Sequence, residues 1–316
     1  MENLPSLFEE EEEEIEEKHK RSYIPSAFIT ASLPLRDVNA PNFQRKFNNI
    51  ELYLTGSPKV PYGKYARLLL SVLTTRAVLS TGDGGVTINY PNLKSLTDEM
   101  LLPKQRGGEV KNQLELFSLS SFQYKEKIVK RVQKSLFEEY KNEKGYFNAT
   151  WKGYGNIPFM KKLSWVDLEE EENPGKVTDS LAFNIELSNE FVVLCKNHSV
   201  PIDYTVYSQI SSALGKDLFA WITYRNNCLE DGKELFIPRF SIVEQFSSNG
   251  QEISPKEESQ LYLRIIDNIR DIKEKYYPEL NVVFTSDNSG FTLKKSPPLI
   301  KSNDTRYILI SNNIIE

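Results

Sequence analysis

The same order of secondary-structure elements is predicted twice along this chain of 316 residues. Apolar residues recur at helical spacing over Lys64–Ser80, and a short strand, a helix and another helix follow. Asp217–Leu229 begins the same series again, which continues through a strand, a short helix and the long helix Lys256–Tyr277. A predicted β-hairpin over Asn281–Lys295 ends it. This order, repeated in architecture but not in sequence, is typical of a duplicated winged helix.

The sequence therefore predicts an α+β fold with two tandem winged-helix domains and a disordered acidic N-terminal tail. Residues 1–22 form the tail. The first domain, residues 23–188, contains an N-terminal arm and an extended β wing over Tyr124–Leu187. The second domain covers residues 189–300, and residues 301–316 form a C-terminal tail. We expect the two winged helices to pack separately.

Acidic residues are concentrated in two blocks. The formal net charge of -5 argues against a nucleic-acid partner, because phosphate binding usually requires an excess of Lys and Arg. Nine of the 44 acidic residues lie within Glu2–Glu17, and five more are Asp167 and Glu169–Glu172. The two blocks contain no Lys or Arg, so the rest of the chain holds 39 basic residues against 30 acidic ones. A basic surface outside the two blocks is compatible with DNA binding.

The glutamate-rich tail cannot bury apolar area and repels itself, so it is predicted to be disordered. It is either a solubilising tail or a DNA mimic that competes with phosphate for the basic surface. In the second case its deletion would raise DNA affinity at low salt.

The segment Pro61–Val78 resembles the signature block of RepA-type plasmid replication initiators, in which a PYG precedes an RLLL helix ending in T-x-A-V. Further matches to that family follow the same order along the chain and together cover about Tyr23 to Pro298. The chain departs from the family in its acidic tail and acidic wing loop. The further matches are Thr30–Asp37, Gly107–Gly108 with Gln113, Ile185–Phe191, Val200–Asp203 and Asp217–Arg225.

The resemblance implies a plasmid replication initiator that binds repeated duplex sites, or iterons, at an origin. It implies that the protein assists origin opening, recruits the host initiator and replicative helicase machinery, and hydrolyses no nucleotide. A homodimer is one assembly state that it allows. The alternative is a winged-helix transcriptional repressor without initiator activity. An AT-rich DNA segment with direct repeats next to the gene would favour the initiator over the repressor.

The sequence lacks the motifs of several enzyme classes. No Gly-Lys pair completes the phosphate-binding loop GxxxxGK[ST], and rolling-circle nicking uses metal-binding histidines whereas this chain has His19 and His198 alone. Cys195 and His198 are too few ligands for a zinc site, although acidic residues brought together by folding could hold magnesium. We expect no enzymatic activity, no cofactor and no metal.

The chain is expected to act in the bacterial cytoplasm without a membrane partner. It carries two cysteines far apart in sequence, which do not suggest a disulfide framework. The N-terminal residues show no basic segment followed by an apolar core, so we expect no export signal, and no apolar run approaches roughly 18 residues.

The predicted DNA contacts of the first domain lie around the start of its third helix. Free N–H groups at a helix N-terminus suit phosphate, and the residues that follow can face a groove. A solvated helix face is the alternative for each of these residues. The candidates are Lys104, Arg106, Gly107, Gly108, Lys111, Asn112 and Gln113.

In the second domain the candidates lie on the outward side of the third helix and on the wing. Arg264 is best placed to read guanine, with Gln260 one turn away, and the lysines are expected to hold phosphates. A solvated face is again the alternative. The candidates are Lys256, Ser259, Gln260, Arg264, Lys294 and Lys295.

Overall fold

A computed structural model describes most of the chain. The described residues are 19–47, 50–82, 85–133, 146–152, 155–166, 169–170, 173–177, 182–247, 254–300 and 307–309. Residues 1–18 of the predicted tail lie outside them, as do residues 167–168 and 171–172 of the acidic wing loop. Residues 19–22, also predicted as part of the disordered tail, belong instead to a strand, His19–Pro25, in which Ser22 is buried.

An N-terminal arm precedes the first winged helix. Its elements are β1 (His19–Pro25), α1 (Ser26–Thr30), β2 (Asn42–Phe47) and β3 (Ile50–Gly56). The strands β2 and β3 pair antiparallel, and alternate residues of β2 are buried as expected for a strand with one covered face. The apolar group Ile50–Leu54 lies in strand β3, as its pattern predicts, whereas the apolar group Ala27–Ile29, also predicted as a strand, lies in the short helix α1.

The first winged helix begins with α2 (Gly63–Leu79), β4 (Thr87–Tyr90), α3 (Leu93–Glu99) and α4 (Gly107–Ser118). The strands that follow are β5 (Ser120–Gln133), β6 (Tyr146–Lys152), β7 (Asn156–Pro158), β8 (Met160–Val166), β9 (Glu169–Glu170), β10 (Asn173–Val177) and β11 (Ala182–Leu187). The wing hairpin is formed by β8 and β11, and the sheet order is β4–β11–β8. Ile185 of β11 lies between Ile88 and Leu163 in this sheet.

The segment predicted as one extended wing is divided between sheets. The strands β5 and β6 join β2 and β3 in a sheet of order β2–β3–β5–β6, and β7 pairs with β5. Leu54 of β3 lies opposite Phe122 of β5, and both side chains are fully buried. The prediction that Tyr124–Leu187 forms a single wing is therefore corrected, because apolar residues of β5 are buried against the arm.

The second winged helix follows three connecting elements, α5 (Asn189–Asn197), β12 (Ser199–Asp203) and α6 (Tyr204–Gln209). It consists of α7 (Ala213–Cys228), β13 (Glu234–Pro238), α8 (Arg239–Phe246), α9 (Pro255–Asp271), β14 (Val282–Phe284) and β15 (Gly290–Lys294). Its sheet order is β13–β15–β14, so the third strand is central in both winged helices. The predicted fold class is confirmed.

The two winged helices have separate sheets, but they do not pack separately. The strand β1 pairs antiparallel with β12 and parallel with β16 (Tyr307–Leu309). Buried apolar side chains of the arm and both winged helices form one continuous core, in which α2 contacts α7. The expectation of separate packing is corrected, because the arm and the first helices of the two units bury one another.

Candidate nucleic-acid interface

The start of α4 presents a basic and open surface. A 3₁₀ turn leads directly into the helix and leaves Lys104 and Arg106 exposed. Gly107 permits this close turn, because a Cβ there would lie 3.1 Å from the Leu93 side chain of α3. At Gly108 a Cβ would meet no described atom within 4 Å. A phosphate could therefore approach this helix end closely at Gly108.

Glu109 indicates that this helix end favours an anion. The backbone N–H of Glu109 and the Arg106 side chain lower the pKa of its carboxyl group, and the Nη1 of Arg106 lies 3.1 Å from its Oε1. Both side chains are exposed, so the pair contributes little to stability. A phosphate group could replace Glu109 as the partner of Arg106.

The three residues predicted to face a groove have different environments. Asn112 is exposed. The Lys111 ammonium lies 5.0 Å from the centre of the Trp165 ring of the first wing and 3.9 Å from Glu115. Gln113 is 4% exposed, and its Oε1 accepts a hydrogen bond of 3.0 Å from the Tyr62 backbone N–H. The prediction for Gln113 is wrong, because this residue lies on the buried side of α4.

The first wing adds basic residues that the sequence-based candidates omit. Lys161 and Lys162 are exposed on β8, which packs against α4. The Lys161 Nζ lies 2.6 Å from the Glu186 carboxylate of β11. An adjacent pair of lysines in a predicted wing strand is the sequence signal that could have identified them.

The helix α9 exposes a row of polar side chains. A capping box fixes its start, in which the Glu257 carboxylate accepts from the Ser254 backbone N–H at 3.0 Å. One side of α9 is buried and carries Leu261, Tyr262, Ile265, Ile266 and Ile269. Lys256, Gln260 and Arg264 are exposed at a spacing of four residues. They form a single row on the solvent side, as one face of a helix requires.

Ser259 is held by Arg239, a residue that the sequence analysis missed. The Nη2 of Arg239 donates to the Ser259 Oγ at 2.8 Å, and its Nε donates to Glu258 at 3.0 Å. The same guanidinium lies 5.1 Å from the centre of the Tyr262 ring. Arg239 thus fixes the start of α8 against α9, and Ser259 serves this contact. No local pattern indicates that the first residue of α8 reaches α9.

The two lysines of the second wing differ. Lys294 is half-exposed, and its Nζ lies 3.2 Å from the Glu234 carboxylate on the adjacent strand. The Lys295 Nζ donates to the Asn226 carbonyl oxygen at 2.9 Å, near the end of α7. Lys294 is accessible to a phosphate, whereas the Lys295 ammonium is directed to the protein backbone and does not fit the predicted phosphate contact.

Among the described residues there is no group of three or more His, Cys, Asp or Glu side chains that could hold a metal ion. The helices of the described part of the chain include none with the length and apolarity to cross a membrane. Cys195 is buried, and burial raises the pKa of its thiol despite a hydrogen bond with Thr74. The thiol is therefore poorly suited to nucleophilic chemistry.

No family model matches this chain, and no curated protein matches its sequence. A crystal structure of selenomethionine derivatives of domains 2 and 3 of RctB superposes with a TM-score of 0.50 at 10% identity. That match covers 87% of this chain and 99% of the RctB chain. The two chains share a fold. A second crystal structure of RctB domains 2 and 3 gives 0.47 at 9% identity, covering 86% of this chain and 97% of the other.

Proposed function

We propose that this protein is a replication initiator that binds duplex DNA through the exposed sides of α4 and α9. The observation that carries the proposal is the row formed by Lys256, Gln260 and Arg264 on the third helix of a winged helix. The second helix of a helix-turn-helix motif, which is the third helix of a three-helix domain, enters the major groove, where Arg and Gln side chains can read guanine and adenine.

The finer parts of the proposal derive from the sequence resemblance. The chain resembles RepA-type initiators in its sequence motifs, and it shares its fold with domains 2 and 3 of RctB. We therefore infer binding to repeated sites at a plasmid origin, assistance in strand opening, and recruitment of host replication proteins. The protein would act in the bacterial cytoplasm, as a monomer or a homodimer, without catalytic chemistry of its own.

A plasmid-maintenance assay separates an initiator from a transcriptional repressor. The chain is supplied in trans to a plasmid that carries only the DNA upstream of its gene and a selectable marker. An initiator supports replication of this plasmid, whereas a repressor binds the DNA without supporting replication. Binding without maintenance, in a host that replicates the original plasmid, would contradict the proposal.

Substitution of Arg264 tests base reading by α9. Arg264→Ala should weaken binding to the specific site by about 1–3 kcal/mol and binding to random DNA much less, since a bidentate base contact is lost. The dissociation constants for both DNAs measure this difference. Equal losses on both DNAs would show that α9 does not read sequence at this position.

Lys256 provides the matched control on the same row. Lys256→Ala should weaken binding to specific and random DNA by similar factors and reduce the slope of log K against log salt by about one. Lys294→Ala should behave in the same way, with a smaller effect if Glu234 already neutralises that ammonium.

A further inference from the structure

Each candidate recognition helix is hydrogen-bonded to the start of the first helix of its own unit. In the first unit, Gln113 of α4 accepts from the Tyr62 backbone N–H, immediately before α2. In the second, the Oγ of Ser212, which caps α7, donates to the Asn268 Oδ1 of α9 at 2.9 Å. The Nδ2 of Asn268 also donates to the backbone carbonyl of Arg264 at 2.7 Å.

A buried ion pair joins these two first helices. The Nε and Nη2 of Arg67 in α2 each lie 2.6 Å from one carboxylate oxygen of Asp217 in α7. The side chains are 3% and 5% exposed. The other donors of the guanidinium bond to the carbonyl oxygens of Leu33, Pro34 and Gly63. All five N–H groups of Arg67 are therefore used, which fixes both its distance and its orientation.

The Arg67–Asp217 pair is better explained by the relative position of α2 and α7 that it selects than by any stability that it adds to the fold. Removing two charges from water costs about as much as their attraction returns, so apolar residues of similar size would hold α2 and α7 together equally well. A bidentate pair instead accepts one relative position of the two helices. Arg45 is also buried nearby, and Asp217 favours the charged form of its guanidinium as well, so the carboxylate is the negative partner for two buried arginines at this junction.

We propose that the Arg67–Asp217 pair makes DNA binding selective for one spacing between the segments that α4 and α9 contact. This inference rests on the proposed function. Two recognition helices held in one rigid arrangement can enter two grooves together only at a fixed separation, because B-DNA turns once in about 10.5 base pairs. When the separation is wrong, one helix binds alone and the gain from binding both is lost.

The test uses a duplex that carries the natural site and a second duplex with five base pairs inserted between the two contacted segments. The wild-type chain should bind the second duplex ~100-fold more weakly, since insertion of half a turn prevents simultaneous contact. Asp217→Asn keeps the side-chain shape and removes the charge. For this variant we expect a loss of less than ~10-fold on insertion, because the two units can then reorient.

Glu99→Gln is the matched control. Arg76 and Glu99 form a similar bidentate pair, with both distances 3.0 Å and the carboxylate 4% exposed, but α2 and α3 belong to one winged helix. This variant should lose stability and keep the full effect of the insertion. Unfolding curves of each variant give the stability, so a purely structural role of Asp217 would change the curves and leave the spacing effect intact.

The outcomes separate the inference from the proposed function. If the wild-type chain discriminates between the two duplexes and Asp217→Asn discriminates equally, the inference is overturned and DNA binding stands. If the wild-type chain binds neither duplex specifically, the proposed function fails. Arg67→Lys, which keeps the charge but loses the bidentate contact, replaces Asp217→Asn if that variant does not fold.

Discussion

Lys216 is an ionisable side chain that is buried at the junction of the two units. It is 1% exposed, and its ammonium donates to the backbone carbonyls of Tyr207 and Ser208 at the end of α6. Burial, assisted by the positive charges of Lys64 and Arg67 and opposed by Asp217, lowers the pKa of Lys216 to about 7. The folded protein therefore prefers a neutral amine at this position.

This preference predicts a pH-dependent stability. In the unfolded chain the pKa of Lys216 is near 10.5, so between pH 7 and pH 10.5 the unfolded state binds more protons than the folded state. The free energy of unfolding should then rise with pH across this window, by up to about 1.4 kcal/mol per unit, and level off below it. Urea unfolding at pH 7 and pH 9 measures the rise.

Lys216→Met should remove this contribution, whereas Lys94→Met, at an exposed position of α3, should leave it unchanged. An equal rise with pH in wild type and Lys216→Met would contradict the assignment.

Gln113 was assigned to the wrong side of α4 because the sequence analysis relied on its polarity and not on its position along the helix. Neighbouring residues of a helix point about 100° apart, so Lys111, Asn112 and Gln113 cannot all share one face. Gln113 falls between Val110 and Phe117 on the buried stripe. Its amide was assigned to DNA because it is polar, although burial with a backbone partner was the alternative that the spacing favours.

At the level of elements, periodic patterns identified most helices and nonlocal pairing was missed. The stripes of α2 and α9 contain enough apolar residues at helical spacing to fix both helices from sequence. The strand β5 was assigned to the wing because the chain continues from it toward β8. Its partner β3 lies before α2, and a local pattern cannot indicate a partner so distant in sequence.

Replacing either of two glycines with alanine should change stability, but in opposite directions. A Cβ at Gly290 would collide with the Ile237 carbonyl oxygen and lie 2.9 Å from the Phe236 ring, within the second winged-helix sheet. Gly290→Ala should therefore destabilise the protein by about 1–3 kcal/mol. Gly108→Ala, in the open first turn of α4, should stabilise it by up to about 1 kcal/mol.

Thermal unfolding of the two variants measures the expected loss of stability in Gly290→Ala and the expected gain in Gly108→Ala. Gly108→Ala should also weaken DNA binding if phosphate approaches the backbone there. Wild-type stability of Gly290→Ala would show that β13 and β15 do not pair as described.

At the scale of the whole molecule, the distribution of charge predicts a role for the acidic tail. Deleting residues 2–17 removes nine glutamates and leaves β1 intact. If those glutamates compete with phosphate, affinity for DNA should increase at low salt and change little at high salt, because the Debye length falls from about 10 Å at 0.1 M to about 3 Å at 1 M.

Replacing Glu9–Glu14 with glutamines separates charge from chain length. If the negative charge of the tail competes with phosphate, both the deletion and the glutamine variant should bind DNA more tightly than the wild type. Unchanged affinity in both would leave the segment as a solubilising tail.

The overall architecture was predictable because each winged helix repeats its element order, whereas the junction was not. Nothing in the spacing of Arg67 and Asp217 indicates that they meet, since each lies on a helix whose own pattern is already explained by burial. The same limit applies to Arg239. Contacts between the two winged helices depend on how their helices and strands pack together, and the pattern of residues along the sequence does not specify that packing.

Hydroxyl-radical footprinting of the full chain on the DNA upstream of its gene would decide whether both winged helices bind one duplex. We expect two protected segments for each bound chain on one side of the duplex, separated by about 10.5 base pairs or a multiple of this. Arg264→Ala should weaken protection of one segment more than of the other. A single protected segment that is unchanged by Arg264→Ala, or no protection at all, would contradict DNA binding by α4 and α9 together.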